Sequence, residues 1–444
     1  PWLMNTDDTR EYMVLVQRSN PKNPSGKKET VLMICNTKGE VLLEYGEDEV
    51  MGEIKMVYMF DKAATPMLLC VYANGDAMTL QYTPLPLNAS ALQGTGVATD
   101  PYKLTCPNDF KLIDNAPDAY YVVANDIDFL SVPFVGAKKA FTGKLDGQNH
   151  KLSNLCLVGG GLFGEMKDSV IVSNLVLENP TLILTDKHRN SGAGILANIM
   201  QGGITNNGVN LTATLSNVHV AKPVINGGGY AEVVGTLVGK AALFLDVNTC
   251  SVTDAEIVAP AAQVGGLVGS SNTATKINAS LFTGTAEGHV LGGIVGTISS
   301  DAPVYDCHVD ADLYTNQTVG GIVGESGRAL INNCYAEGTL TLADIAKVGK
   351  VGGIVGNVAT DATGSSTAIL VENCLVGVSA IHVPDGKDVI AHRVIGFSSG
   401  DDYEYDWDNI DYDKPQSEWP RLYFPAEKGF KNNYVVSDLA ALDA

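Results

Sequence analysis

Basic residues and long apolar runs are scarce in this chain. Lysine and arginine number 29 against 50 aspartates and glutamates, a formal charge of −21 over 444 residues. An extended polyphosphate or an anionic membrane surface would be repelled, so nucleic acid is not expected as a partner. No apolar run approaches the ~18 residues a membrane helix needs, and no transmembrane segment is expected. Because the chain opens at Pro1 without a basic segment leading into an apolar one, it is expected to be a processed or trimmed product from which any secretion signal has gone. The eight cysteines include no C-x-x-C pair, which argues against a zinc ribbon or thioredoxin-type site, while an even count alone does not prove disulfides. Charged residues make up only 18% and glycines number 47, which disfavours both disorder and a charged coiled coil.

What is present is a repeat. A branched apolar residue, two small residues, two apolar residues and a glycine recur as Val264-Gly265-Gly266-Leu267-Val268-Gly269, Leu291 to Gly296, Val319 to Gly324 and Val351 to Gly356. Looser copies close at Gly164, Ala197, Gly239 and Gly396. The closing positions are spaced by 33, 42, 30, 27, 28, 32 and 40 residues, which is one unit of about thirty with insertions. A second register runs through the same units as Asn174-Leu175, Asn217-Val218, Thr249-Cys250, Asn278-Ala279, Asp306-Cys307, Asn333-Cys334 and Asn373-Cys374. Its second member reads as an inward ladder of small apolar side chains, and Cys250, Cys307, Cys334 and Cys374 are expected there as buried free thiols rather than metal ligands.

Between these registers lie short β-type runs with no sustained helical period. Together they predict an all-β chain built around a parallel β-helix, each coil stacked about 4.8 Å above the last. Eight coils would give a rod of roughly 40 Å. Glycines at the corners would supply positive φ or permit close backbone approach.

These residues resemble the GLUG-motif repeat family. Gly161-Leu162-Phe163-Gly164 and Gly266-Leu267-Val268-Gly269 match the motif outright, and three further copies carry Ile for Leu. The stretch before them is similar to the usual lead-in: Asp100-Pro101-Tyr102, Asn125-Asp126-Ile127-Asp128, Phe141 to His150 and Leu152-Ser153-Asn154-Leu155. The resemblance covers about residues 95 to 400. With the crossover rule it implies a right-handed β-helix, and it implies a bacterial secreted or cell-surface protein of the kind often called an adhesin, with no catalytic residue set attached to the repeat.

The flanks differ. Residues 1–90 read as a small antiparallel β domain with strands at Glu11–Gln17, Thr30–Cys35, Val41–Tyr45, Lys55–Phe60, Met67–Tyr72 and Ala77–Tyr82 and hairpins near Gly39 and Gly75. Residues 91–160 read as a linker and first cap, 161–400 as the β-helix, and 401–444 as a C-terminal cap. The last segment packs seven acids into thirteen positions from Asp401 to Asp413, alternating with tyrosines and a tryptophan. Nine of 31 aromatics lie in the final 44 residues and eight between 161 and 400, so the shaft reads as a spacer and Asp401, Tyr403, Tyr405, Asp406 and Trp407 become the candidate binding residues.

No catalytic set and no metal set are expected. Asp254, Asp310, Asp312, Glu325 and Glu337 read as scattered across registers, without the carboxylate pair that glycoside hydrolysis needs. No cofactor is expected; calcium is the one ion kept open, at Asn125, Asp126 and Asp128 or in the tail, with a polar strand edge as the plainer reading of the former. The resulting expectation is a monomeric, non-enzymatic adhesion or binding protein that contacts a surface glycan or a host extracellular protein. A β-helix polysaccharide lyase or glycoside hydrolase is the alternative, and a structural stalk the second alternative. Insertions at 198–208 and 357–364 are expected to leave the same edge of the coil.

Overall fold

The computed structural model describes residues 2–6, 10–16, 32–36, 41–45, 53–60, 67–74, 77–84, 92–184, 191–205, 207–272, 275–299, 302–327, 329–343, 348–358, 370–383, 388–392, 394–398, 403–405, 421–423, 430–431 and 433–435. One coil shows how the sequence builds the rest. Leu245–Asn248 forms a short strand, Ser251–Gly265 a long one, and Val268–Ser271 a third. Along the long strand Val252, Ala255, Ile257 and Ala259 are buried while Asp254, Glu256 and Val258 face outward. That is the period of two a strand imposes on its side chains. Each of the three strands then pairs in parallel with its counterpart one repeat later: Thr275–Asn278, Leu281–Gly292 and Val295–Ile298.

The strands that close the motif form an eight-stranded parallel sheet: Phe163–Lys167, Ala197–Gln201, Val238–Ala241, Val268–Ser271, Val295–Ile298, Val323–Ser326, Val355–Val358 and Ile395–Ser398. The protein is a parallel β-helix, and its core is the space enclosed by the coils. The motif leucine or isoleucine stacks inside as Leu162, Leu196, Leu237, Leu267, Ile294, Ile322 and Ile354, all almost fully buried. Corner amides continue the ladder, Leu267 N–H donating to Ile294 O at 3.1 Å and Ile294 N–H to Ile322 O at 2.9 Å.

The corner glycines serve close approach. Gly265 and Gly266 are absent from the positive-φ positions, but a Cβ on Gly266 would sit 2.0 Å from Gly293 O and 2.4 Å from the Phe282 ring. Positive φ falls instead on the residue before the inward ladder: Asn174, Asn217, Thr249, Ala279, Asp306, Asn333 and Asn373 lie between 48° and 56°. Asparagine and aspartate tolerate this left-handed region better than other side chains, and the asparagine amides cross-link the coils, Asn217 donating to Asn174 Oδ1 at 2.9 Å and Asn174 to Asp146 Oδ1 at 3.0 Å.

Strand pairing corrects two positions of the repeat. Ala197 lies beside Phe163 and Val238, so Asn198, not Ala197, fills the closing-glycine slot. Ser251 lies beside Leu281 and Leu281 beside His308, so Ser280, not Ala279, carries the inward ladder between Cys250 and Cys307. Ala279 is exposed and holds the left-handed position. The error arose because Ala is the apolar residue of Asn278-Ala279-Ser280, whereas Ser280 is buried with its hydroxyl donating to Asn278 O at 2.9 Å.

The stretch expected as a first cap contributes coils of its own: Tyr102–Leu104, Tyr120–Val123, Lys144–Asp146 and Ile171–Glu178 pair successively in parallel. Its capping element is the short helix Pro107–Lys111 with the 3-10 turn Leu112–Asn115, which buries Phe110 and Ile113. At the other end Phe430–Lys431 and Tyr434–Val435 add a final parallel pairing to Leu370–Glu372 and Leu375–His382. Near the N-terminus, Trp2–Thr6, Arg10–Val16, Leu32–Asn36 and Val41–Tyr45 form one antiparallel sheet, and Glu53–Phe60, Met67–Asn74 and Ala77–Pro84 another. The strand Trp2–Thr6 was not anticipated. Among the described residues no helix is long and apolar enough to cross a membrane.

Candidate functional site

The long strands are kinked, and the kinks shape their outer face. Asp254 sits at φ 53°, Gly284 at 128° and Gly338 at 96°, and the pairing slips between Val252 and Ala255 as at a β-bulge. Glycine is required at Gly338 twice over, by its φ and by the Ala311 carbonyl oxygen 2.1 Å from where a Cβ would stand. Beside the kink the outer face encloses an open groove of about 670 Å³.

Two ladders line it. Glu256, Thr285, Asp312 and Thr339 pair rung to rung, as do Val258, Glu287, Tyr314 and Thr341. Asp254 adds a fourth carboxylate at the kink. Tyr314 is 43% exposed and Val258 39%, so an aromatic face and an aliphatic side chain lie open among the acids. Thr339 Oγ1 donates to Asp312 Oδ1 at 2.6 Å, which fixes one carboxylate oxygen and leaves the other for a ligand. No lysine or arginine lines the groove. Asp254 and Asp312, read from the sequence as scattered, are thus brought to one concavity with Glu256 and Glu287.

Upstream on the same strands lies a second polar cluster. The His308 ring stacks on Tyr335 with centroids 4.9 Å apart, and Glu337 joins both, 2.8 Å from His308 Nε2 and accepting the Tyr335 hydroxyl at 2.7 Å. The Tyr335 hydroxyl, then His308, hold the Glu337 carboxyl below the usual range. Asp310 pairs with Glu337 across the rungs, while Glu325 lies on the eight-stranded sheet. His219 is tied down, its ring nitrogens 2.7 Å from Ser251 Oγ and 2.8 Å from Asn217 Oδ1.

The residues singled out from the sequence fare differently. Tyr403 and Tyr405 lie on a strand paired antiparallel with Arg421–Tyr423, while their side chains, and Asp401, Asp406 and Trp407 entirely, lie outside the described residues. Asp126 and Asp128 are engaged locally: Asp126 Oδ1 accepts Lys151 N–H at 3.0 Å and contacts His150, and Asp128 Oδ1 accepts Leu130 N–H and the Asn154 amide. Such bonds are those of a polar strand edge. Cys250, Cys307, Cys334 and Cys374 are buried and free. Burial pushes the Cys250 thiol up to about 11, which leaves it a packing group with little thiolate character. Among the described residues no three of His, Cys, Asp or Glu converge on a point that could hold a metal ion.

Glu256, Glu287, Thr285, Thr339, Thr341 and Tyr314 were not picked out from the sequence. The signal that finds them is the combination of two periods, alternation along each strand and the register of about thirty residues between strands.

Comparison with known proteins adds the family. The model of the GLUG motif matches residues 315–341, which run from the end of one long strand through the Val319–Gly324 corner to the next. Halomucin of Haloquadratum walsbyi (strain DSM 16790 / HBSQ001) is 28% identical over 166 residues, covering 32% of this chain and 2% of that protein. The chain therefore spans only a small part of that relative's length. With the motif matched at one corner and its register repeated on the neighbouring coils, the chain carries the GLUG motif within its β-helix.

Proposed function

We propose that the protein is a non-enzymatic binding or adhesion protein of the cell exterior, and that the groove beside the kink engages an extended glycan. The observation that carries this is Tyr314, an exposed aromatic in a groove it shares with Val258, three threonine hydroxyls and four carboxylates. Polyols bind by stacking on aromatic faces and hydrogen-bonding to such groups. The likeness to a protein named halomucin favours an extracellular setting. The aromatic tail, with Tyr403 and Tyr405 on its strand, remains part of the proposal as a second contact.

The rival reading is a glycoside hydrolase, favoured by one fact: Glu256 and Asp312 share a ladder two rungs apart, with Thr285 between. Two rungs span roughly 9.6 Å, the upper end of the separation used by inverting enzymes. Yet both side chains project from one sheet face, whereas hydrolysis needs carboxylates on opposite sides of the scissile bond. A glycan-array screen paired with a reducing-end and unsaturated-product assay separates the two. Binding without product supports the proposal; turnover that Glu256→Gln abolishes replaces it with the enzyme.

A further inference from the structure

We infer that the groove selects a glycan carrying protonated amino groups, a polymer of amino sugars, over neutral or acidic ones; this rests on the groove being a glycan site. Its charge is one-sided. Asp254, Glu256, Glu287 and Asp312 line it and no lysine or arginine does, Lys222 standing one rung before Asp254 outside the lining, on a chain whose formal charge is −21. An acidic polysaccharide would be repelled at three successive rungs, and a neutral one would leave the carboxylates without partners of opposite charge.

The spacing argues for a polymer. Glu256 and Asp312 alternate with Thr285 and Thr339, one polar side chain per rung of about 4.8 Å. A sugar chain lying along the stack meets alternating carboxylates and hydroxyls at close to one group per sugar unit. Tyr314 stands in the adjacent ladder between Glu287 and Thr341, where its ring face can receive a pyranose or the cationic carbon beside an ammonium group. A basic peptide would satisfy the carboxylates, but it has less use for three threonine hydroxyls and an open aromatic face, so the glycan is the better match.

The test uses the full chain, immobilised in EDTA, with four hexamers as probes: glucosamine, N-acetylglucosamine, galacturonate and lysine. Glucosamine hexamer should bind most tightly and weaken as salt rises, because the attraction is between exposed charges. Glu256→Gln with Asp312→Asn should weaken it by about fivefold and weaken N-acetylglucosamine hexamer, which loses only hydrogen bonds, by less. Tyr314→Ala should weaken both sugars by about fivefold. Equal or tighter binding of the N-acetylated hexamer overturns the cationic selectivity while the glycan site stands. Lysine hexamer as the tightest ligand, insensitive to Tyr314→Ala, overturns the inference in favour of a peptide. If the glucosamine hexamer fails to bind while an array detects another glycan through Tyr314, the inference alone fails; if no glycan binds at all, the glycan reading of the groove fails with it.

Discussion

A residue with positive φ reports on its own side chain: of the seven that precede the inward ladder only Thr249 and Ala279 are neither asparagine nor aspartate, and a side chain with no polar group belongs to Ala279. Its counterparts on the neighbouring rungs are Thr249 and Asp306, and asparagine holds four of the seven positions. Left-handed φ costs an ordinary side chain roughly 1–2 kcal/mol, and asparagine recovers part of that by local hydrogen bonding. Ala279→Asn is therefore expected to stabilise the protein by about 0.5–1 kcal/mol, read as a rise in the urea midpoint at unchanged slope. An inward-facing Ala279 would instead lose stability with that substitution. Glu337 makes a second residue-scale case, through pH. Its carboxyl is held low by the Tyr335 hydroxyl and by His308, so its contribution is complete above the ordinary carboxylate pKa of about 4.3 and is lost as pH falls through the depressed value. Denaturation midpoints measured between pH 6 and pH 3 should fall less steeply for Glu337→Gln than for the unaltered protein; parallel curves would show that the cluster adds nothing to folding.

At the scale of the element, the corner makes the coil stackable. Gly266 leaves no room for a methyl group between Gly293 O and Phe282, whereas a Cβ on Gly164, in the closing slot of an early coil, would meet only Ala137 O at 3.3 Å. Gly266→Ala is expected to cost about 1–3 kcal/mol by overpacking, and Gly164→Ala much less. Equal losses in thermal melts would show that the glycines act through conformational freedom. The corner is also the element most legible in the sequence, because Val-Gly-Gly-Leu-Val-Gly combines a steric demand with an inward leucine that few alternatives satisfy. The inward cysteine ladder was legible for the same reason. The register failed where a substitute satisfied the geometry by other chemistry: Asn198 fills a glycine slot, its Oδ1 accepting Gly161 N–H at 3.0 Å, and Ser280 fills an apolar slot by bonding its hydroxyl back to Asn278. The groove was less legible still. Its acids are unremarkable singly and gain meaning only when Glu256 and Asp312 fall into one ladder, which requires the slip at the Asp254 bulge to be known.

For the whole molecule, the insertions and the tail matter most. The strands before both insertions, Ala197–Gln201 and Val355–Val358, belong to the same eight-stranded sheet, and both insertions precede strands of the same neighbouring face, Ala213–Ala221 and Leu370–Glu372. The strands flanking them therefore meet at one edge, five rungs or roughly 24 Å apart. The first insertion carries a hairpin of Gly203–Ile204 with Asn210–Leu211, and residues 359–369 lie outside the described residues. The tail closes the stack through its backbone and one side chain. Asn433 takes the position beside Cys374, its Oδ1 accepting Cys374 N–H at 2.9 Å and its amide donating to Val371 O at 2.8 Å. An unpaired edge of a parallel sheet templates further strands, and Asn433 satisfies two backbone groups that would otherwise form part of one. Of the 401–444 segment read from the sequence as a cap, Trp407 and Trp419 lie outside the described residues. Truncation after Gly400 removes the Phe430–Lys431 and Tyr434–Val435 pairings and bares Leu370–Glu372 and Leu375–His382, so the shortened chain is expected to melt lower and to self-associate in sedimentation experiments. Asn433→Ala, which keeps the tail, should lose about 1–3 kcal/mol from the two unsatisfied groups and stay monomeric. A truncated chain that stays monomeric and melts like the full one would show that the cap lies elsewhere; an Asn433→Ala protein that aggregates would place the protection in that side chain alone.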